Sequence, residues 1–191
     1  MYKLLSEYLQ TNTLLAIYTN KDNEETFAVG YINQLTEEEV IILHVGLHGE
    51  YDGYSACYID DIFKIETNTK YLNKINILKD GNNTEKLTII TTDNDCFTSL
   101  ITTAMKNRNI IAIGCNDLDM EIRGFLKSNL DDTVIVSQIN EYGEQDGEAI
   151  ICKDSINKIV IDDVECREIE KLYSHHRDCG KECQGDGSVD T

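Results

Sequence analysis

Proline is absent from this 191-residue chain, where ordinary usage of about 5% predicts roughly nine or ten. Its turns must therefore be made by Gly, Asn and Asp, all of which are plentiful. Basic residues are scarce as well, with 17 Lys and Arg against 35 Asp and Glu and a formal charge of -18. Such a chain repels phosphate backbones unless its few cations are gathered in a patch. That excludes a general nucleic-acid coat protein and leaves room only for a focused site. No run approaches the ~18 apolar residues that cross a bilayer, and Met1 to Gln10 has neither a basic start nor a cleavage site. Secretion and membrane spanning are not expected. Also missing are a Gly-x-Ser-x-Gly elbow, a phosphate-cradling Gly-rich loop and a nucleotide-binding glycine fingerprint. The 4 histidines are His44 and His48 in one short segment and His175 and His176 near the C-terminus. These absences point away from an enzyme and from a resident cofactor.

What remains is globular in composition, 41% hydrophobic and 27% charged, with length for one medium domain or two small ones. The 7 cysteines (Cys57, Cys96, Cys115, Cys152, Cys166, Cys179 and Cys183) are odd in number and follow no disulfide spacing. They read as reduced cytosolic thiols, with Cys57 and Cys152 acting as small hydrophobes in apolar stretches. Abundant Ile, Asn and Lys suit an AT-rich bacterial genome.

The most informative feature is internal. With Gly30 placed on Gly124, the two halves run without a gap through Ile65 and Ile159. Gly49-Glu50-Tyr51-Asp52-Gly53 then falls on Gly143-Glu144-Gln145-Asp146-Gly147, and Asp60, Ile62 and Lys64 fall on Asp154, Ile156 and Lys158. Upstream the register shifts by two residues, so that Leu4, Leu5 and Leu9 match Leu100, Ile101 and Met105. A shared five-residue motif could arise by chance; the same motif with its flanking strands and an upstream helix in one order reads as a tandem duplication.

Each unit opens on a helix. Phe97, Leu100, Ile101, Ala104 and Met105 form one apolar stripe at helical spacing, and Asp93 or Asp95 is placed to cap its start. Leu4, Leu5, Tyr8 and Leu9 repeat the stripe. Short strands follow, predicted at Leu14 to Thr19, Phe27 to Asn33, Val40 to Val45, Ser55 to Ile59 and Ile62 to Ile65. Their counterparts are Ile110 to Ile113, Glu121 to Lys127, Val134 to Ile139, Ala149 to Cys152 and Ile156 to Ile161. Short strands separated by Asn, Asp and Gly indicate small antiparallel barrels, with Gly30 and Gly124 permitting a sharp mid-strand bend. Between the units, Ile75 to Leu78, Asp80-Gly81 and Leu87 to Ile90 suggest a hairpin.

A helix followed by five short bent strands, with Gly30-Tyr31-Ile32 and Gly124-Phe125-Leu126 in the second of them, resembles the Sm-like fold. The resemblance covers most of residues 1 to 66 and 95 to 161 and implies edge-to-edge association of barrels into rings. The family's base-reading Asn is replaced by Val40 and Val134, and its Arg-Gly pair by Ile59-Asp60-Asp61 and Lys153-Asp154-Ser155. The family's uridine pocket therefore does not carry over.

Of the candidate sites, the two Gly-Glu-x-Asp-Gly copies offer too few oxygens for calcium and read as turns. Asp60-Asp61 and Asp162-Asp163 are adjacent pairs, which on a strand face opposite ways and share no site. His175 or His176 with Cys179 and Cys183 has spacings that suit three ligands of a zinc ion, but a second paired half is missing and a solvated tail is the preferred reading of the segment. The expectation is two tandem Sm-like or SH3-like barrels, mainly β with short helices. Residues 1–80 form the first unit, 81–174 the connector and second unit, and 175–191 a flexible tail. The expected function is a non-enzymatic cytosolic protein-interaction or assembly module, with no metal and no cofactor. It would meet a protein partner or a second copy through strand edges and helix stripes. The rival is an RNA-binding regulator with Lys106, Arg108, Arg123 and Lys127 on one face; a third reading is metal or redox sensing by the tail.

Overall fold

A computed structural model describes residues 1–21, 23, 25–79, 86–92, 95–115 and 121–182, the last four as backbone alone. The chain begins with helix α1 (Tyr2–Thr11). Strands β1 (Leu15–Tyr18), β2 (Ala28–Leu35), β3 (Glu39–Val45), β4 (Tyr51–Tyr58) and β5 (Lys64–Thr67) follow, then helices α2 (Lys70–Lys79) and α3 (Cys96–Asn107). Strands β6 (Ile110–Cys115), β7 (Ile122–Asn129), β8 (Thr133–Ile139), β9 (Gln145–Cys152) and β10 (Ile156–Ile161) lead into α4 (Val164–Glu182). The ten strands make one open antiparallel sheet in the order β5-β1-β2-β3-β4-β10-β6-β7-β8-β9. The fold is thus mainly β, as the short turn-bounded strands imply. Two separate barrels are not what it builds: β4 gives its second edge to β10, so the halves merge into a single sheet that does not close.

Pairing recurs in step along the two halves. Leu15 opposes Gly30 as Ile111 opposes Gly124, and Ile65 opposes Ile17 as Ile159 opposes Ile113. Bulges interrupt β2·β3 between Ile32 and Gln34 and β7·β8 between Leu126 and Ser128. Gly30 and Gly124 owe their identity to close approach. A Cβ there would stand 2.3 Å from the Leu43 carbonyl oxygen and 2.0 Å from that of Ser137.

Three sequence expectations change. Residues 70–79 are helical rather than part of a hairpin. Leu72 and Ile75 bury one helical face against Leu14, Ala16, Tyr18 and Val45, and Thr69 Oγ1 accepts a hydrogen bond from the Leu72 amide at the helix start. Leu87 to Ile90 forms no strand, and Asp80-Gly81 lies outside the described residues. Residues 175–182 continue α4 instead of starting a tail, because Cys166 and Ile169 anchor that helix on Ile110, Ala112 and Val160. The Gly-Glu-x-Asp-Gly copies straddle the end of a turn and the first residues of β4 and β9, with φ of +82° at Gly49 and +76° at Gly143.

Candidate functional site: the joint and its two open counterparts

At the centre of the sheet, Tyr54, Ser55, Ala56 and Cys57 of β4 face Ile161, Val160, Ile159 and Lys158 of β10. Apolar packing runs through this joint without a break. Ile41, Tyr54 and Ala56 from the first half share one cluster with Ile111, Ile113, Ile159 and Ile161 from the second, under Leu100 and Ile101 of α3. Polar contacts cross it as well. Glu39 accepts a hydrogen bond from the Cys96 amide at 2.7 Å, Tyr51 donates to Asp162 at 2.8 Å, and Asp52 accepts from the Val164 amide at 2.9 Å. The Tyr58 and Phe97 rings stand 5.0 Å apart. Helix N-termini leave backbone N–H groups unpaired, and the starts of α3 and α4 are each met by a first-half carboxylate.

The two outer strands are the repeat counterparts of the two that meet inside: β9 corresponds to β4, and β5 to β10. Their exposure tells them apart. Ala56 is 0% exposed at the joint, whereas its counterpart Ile150 on β9 is 74% exposed. Leu100 is 0% exposed, whereas its counterpart Leu4 on α1 is 40% exposed. Tyr2 and Leu9 on the same helix, and Met1 just before it, are exposed as well. Ile150 and Leu4 are therefore exposed apolar residues at positions that are buried where one half meets the other.

Burial also sets the electrostatics of the joint. Glu39 is raised above the usual glutamate range, first by burial, although the Cys96 amide opposes the shift. His44 is pushed down to about 4 by loss of hydration and by Lys158; its Nε2 lies 2.6 Å from Ser55 Oγ. The Cys57 thiol is pushed up to about 12 by burial, which leaves it a packing residue. Cys152, read as another small hydrophobe, is exposed on β9.

The remaining sequence candidates scatter. His175 and His176 are exposed on α4, where His176 Nε2 lies 3.1 Å from the Tyr142 carbonyl oxygen. The Cys179 side chain and all of Cys183 lie outside the described residues, and no cluster able to hold a metal occurs among those described. Of the proposed basic face, Arg123 is paired with Glu121 and Glu165 and Lys127 with Glu148; Lys106 and Arg108 are exposed near the end of α3. Lys64 and Lys158 pair with Glu66 and Glu121. Sequence reasoning missed Glu39, Tyr51, Asp52 and Asp162 as joint residues. Their only sequence signal was that Glu39, Tyr51 and Asp162 break the repeat, standing opposite Thr133, Gln145 and Asn68. No helix among the described residues is long and apolar enough to cross a membrane.

No family model and no curated protein matches the chain. Among solved structures, the chain is similar over 96% of its length to 95% of MrkH from K. pneumonia in its apo state, at 9% identity and a TM-score of 0.20. It is similar over 95% of its length to 91% of YcgR from Escherichia coli, solved in complex with c-di-GMP, at 7% identity and a TM-score of 0.19. Likenesses of that size carry no argument about fold or function.

Proposed function

We propose that the chain is a non-enzymatic assembly module that binds further copies of itself, β9 of one copy pairing with β5 of the next. The observation that carries this is the contrast between Ile150 and Leu4, exposed at the open ends, and their counterparts Ala56 and Leu100, buried at the internal joint. Transferring the internal register sets Ile150 opposite Ile65, Ile151 opposite Lys64, Ala149 opposite Glu66 and Glu148 opposite Thr67. Gln145 then takes the place of Tyr51 and faces Asn68 where Tyr51 faces Asp162; Asn68 and Asp162 already share a left-handed backbone, with φ of 55° and 56°. Unpaired strand edges are templates for such addition. The contact is head-to-tail, so copies close into a ring or extend as a filament. A helix followed by five strands, present twice, also supports reading each half as an Sm-like or SH3-like unit fused to its neighbour.

Native mass spectrometry of the untagged protein is expected to show multiples of the 21.7 kDa chain. Ile150→Lys is expected to reduce them to the single chain with its circular dichroism spectrum unchanged, because residue 150 faces solvent within one copy. A wild-type protein that stays monomeric at tens of micromolar, or a variant that assembles normally, would overturn the reading. Copurifying RNA would replace it with the RNA-binding one.

A further inference from the structure

A cavity of about 390 Å³ lies in the second half between the end of α3, the β7–β8 face and α4. That is within the range of small-molecule sites. Two differences between the repeats accompany it. Ala104 and Ser137 line it where the first half carries Tyr8 and Leu43, so bulk present in one repeat is absent from the other. Phe125 and Tyr173, with ring centroids 5.0 Å apart, stand where the first half pairs Tyr31 with Lys79. The second repeat thus has an aromatic wall and open space in place of a filled, lysine-capped surface.

Two arginines border this space. Arg108 and Arg177 both line the cavity, and neither has a carboxylate partner among the described residues; Arg177 stacks over the Tyr173 ring at 5.7 Å. The chain's other arginines, Arg123 and Arg167, are both ion-paired. With a net charge of -18, unpaired arginines stand out. Arg108 also occupies a left-handed helix C-cap at φ 57°, a conformation that favours Gly or Asn. The first repeat places Asn12 there, and every other non-glycine positive φ among the described residues belongs to Asn or Asp. A bulky residue kept in a strained cap is a pointer to function. Asn109 lines the same cavity, and its Oδ1 is buried with no hydrogen-bond partner among the described residues.

We propose that this cavity binds a nucleoside monophosphate. Two arginines match the near-dianionic charge of a phosphate monoester, with planar forks suited to its oxygens. The aromatic wall receives the flat base.

Calorimetric titration of the full chain with AMP, GMP, CMP and UMP, alongside inorganic phosphate and adenosine, tests this. At least one monophosphate is expected to bind saturably, more tightly than inorganic phosphate or adenosine. Arg108→Asn is expected to weaken it about tenfold or more through loss of a charged contact. That variant restores the first repeat's cap residue, so its melting temperature should equal or exceed that of the wild type. Ser137→Leu, which restores the bulk of Leu43, is expected to abolish binding while the variant still melts cooperatively. No saturable binding of any monophosphate would overturn the proposal. So would affinity no greater than for phosphate or adenosine, or affinity unchanged in both folded variants.

Discussion

At the scale of single residues, steric contact and lost hydration govern which substitutions matter. The Cβ of an alanine at 124 would meet the Ser137 carbonyl oxygen at 2.0 Å, and that oxygen is fixed by its strand. Gly124→Ala is expected to cost about 1–3 kcal/mol, read as a shift in urea midpoint. Gly147→Ala meets nothing within 4 Å and suffers only its φ of +82°, so its cost is expected near 1–2 kcal/mol, as backbone strain alone. His44 gives a pH-dependent counterpart. The unfolded chain protonates it near the ordinary 6.5, whereas the native protein resists until about 4. Between these values the unfolded state binds more protons, so stability falls as pH falls. Glu39 and Glu170, raised chiefly by burial, act with the opposite sign just above the ordinary glutamate value of 4.5. Replacing His44 by Gln, the residue at the corresponding Gln138, isolates the imidazole. The variant's urea midpoint is expected to lose less than the wild type's between pH 6.5 and 4. The sequence marked Gly30 and Gly124 as special and ascribed this to strand bending; close approach to a facing carbonyl depends on a partner strand that residue order alone does not supply.

Among the elements, α3 was the most legible, because its apolar stripe and its capping aspartate agree. Asp95 accepts hydrogen bonds from the Thr98 amide at 2.7 Å and from its hydroxyl at 2.6 Å. Asp95→Ala is expected to destabilise the protein by about 1 kcal/mol in chemical denaturation. Asp93, the other capping candidate, lies outside the described residues. α2 was misread because Asp80-Gly81 is a strong turn signal, while the apolar face of residues 70–79 is only two buried residues wide. What stabilises α2 is the outer face of β1–β3, where it packs on Ala16, Val29 and Tyr31. A pattern that alternates in β2 gives no separate notice that its second face also needs a cover. The same applies to α4, whose start is set by Asp163 accepting from the Cys166 amide and by Asp52, more than 100 residues earlier in the chain. Helical spacing of His175 and Cys179 was visible in the sequence, and α4 continues through both positions to residue 182; Cys183 lies outside the described residues.

For the whole molecule, the succession of a helix and five short strands in each half was legible, because each half satisfies its own pleat and turn chemistry. The joint was not, because edge pairing is decided between strands about 100 residues apart and leaves no local period. Tyr54, Ala56, Ile159 and Ile161 read only as apolar strand residues, yet together they join the two halves. Unfolding is accordingly expected to follow one cooperative transition: α3 packs on strands of both halves, so neither can be lost while the other keeps its core. Coincident circular-dichroism and Tyr-fluorescence curves in urea would bear this out, and two separated transitions would refute it. The order in which the sheet is filled has a consequence during synthesis. β4 sits at the middle of the finished sheet, but the strand that seals it is β10. At about 5–20 residues per second, roughly 100 further residues occupy the ribosome for about 5–20 s. Throughout that interval the first half, its shared core still incomplete, presents an apolar edge to its surroundings. On a polysome, the nearest complementary strand is the β5 of a neighbouring nascent chain. The covalent fusion of the halves therefore sets a race between a tethered partner that arrives late and an untethered one already present, which high local expression would tilt towards exchanged assemblies.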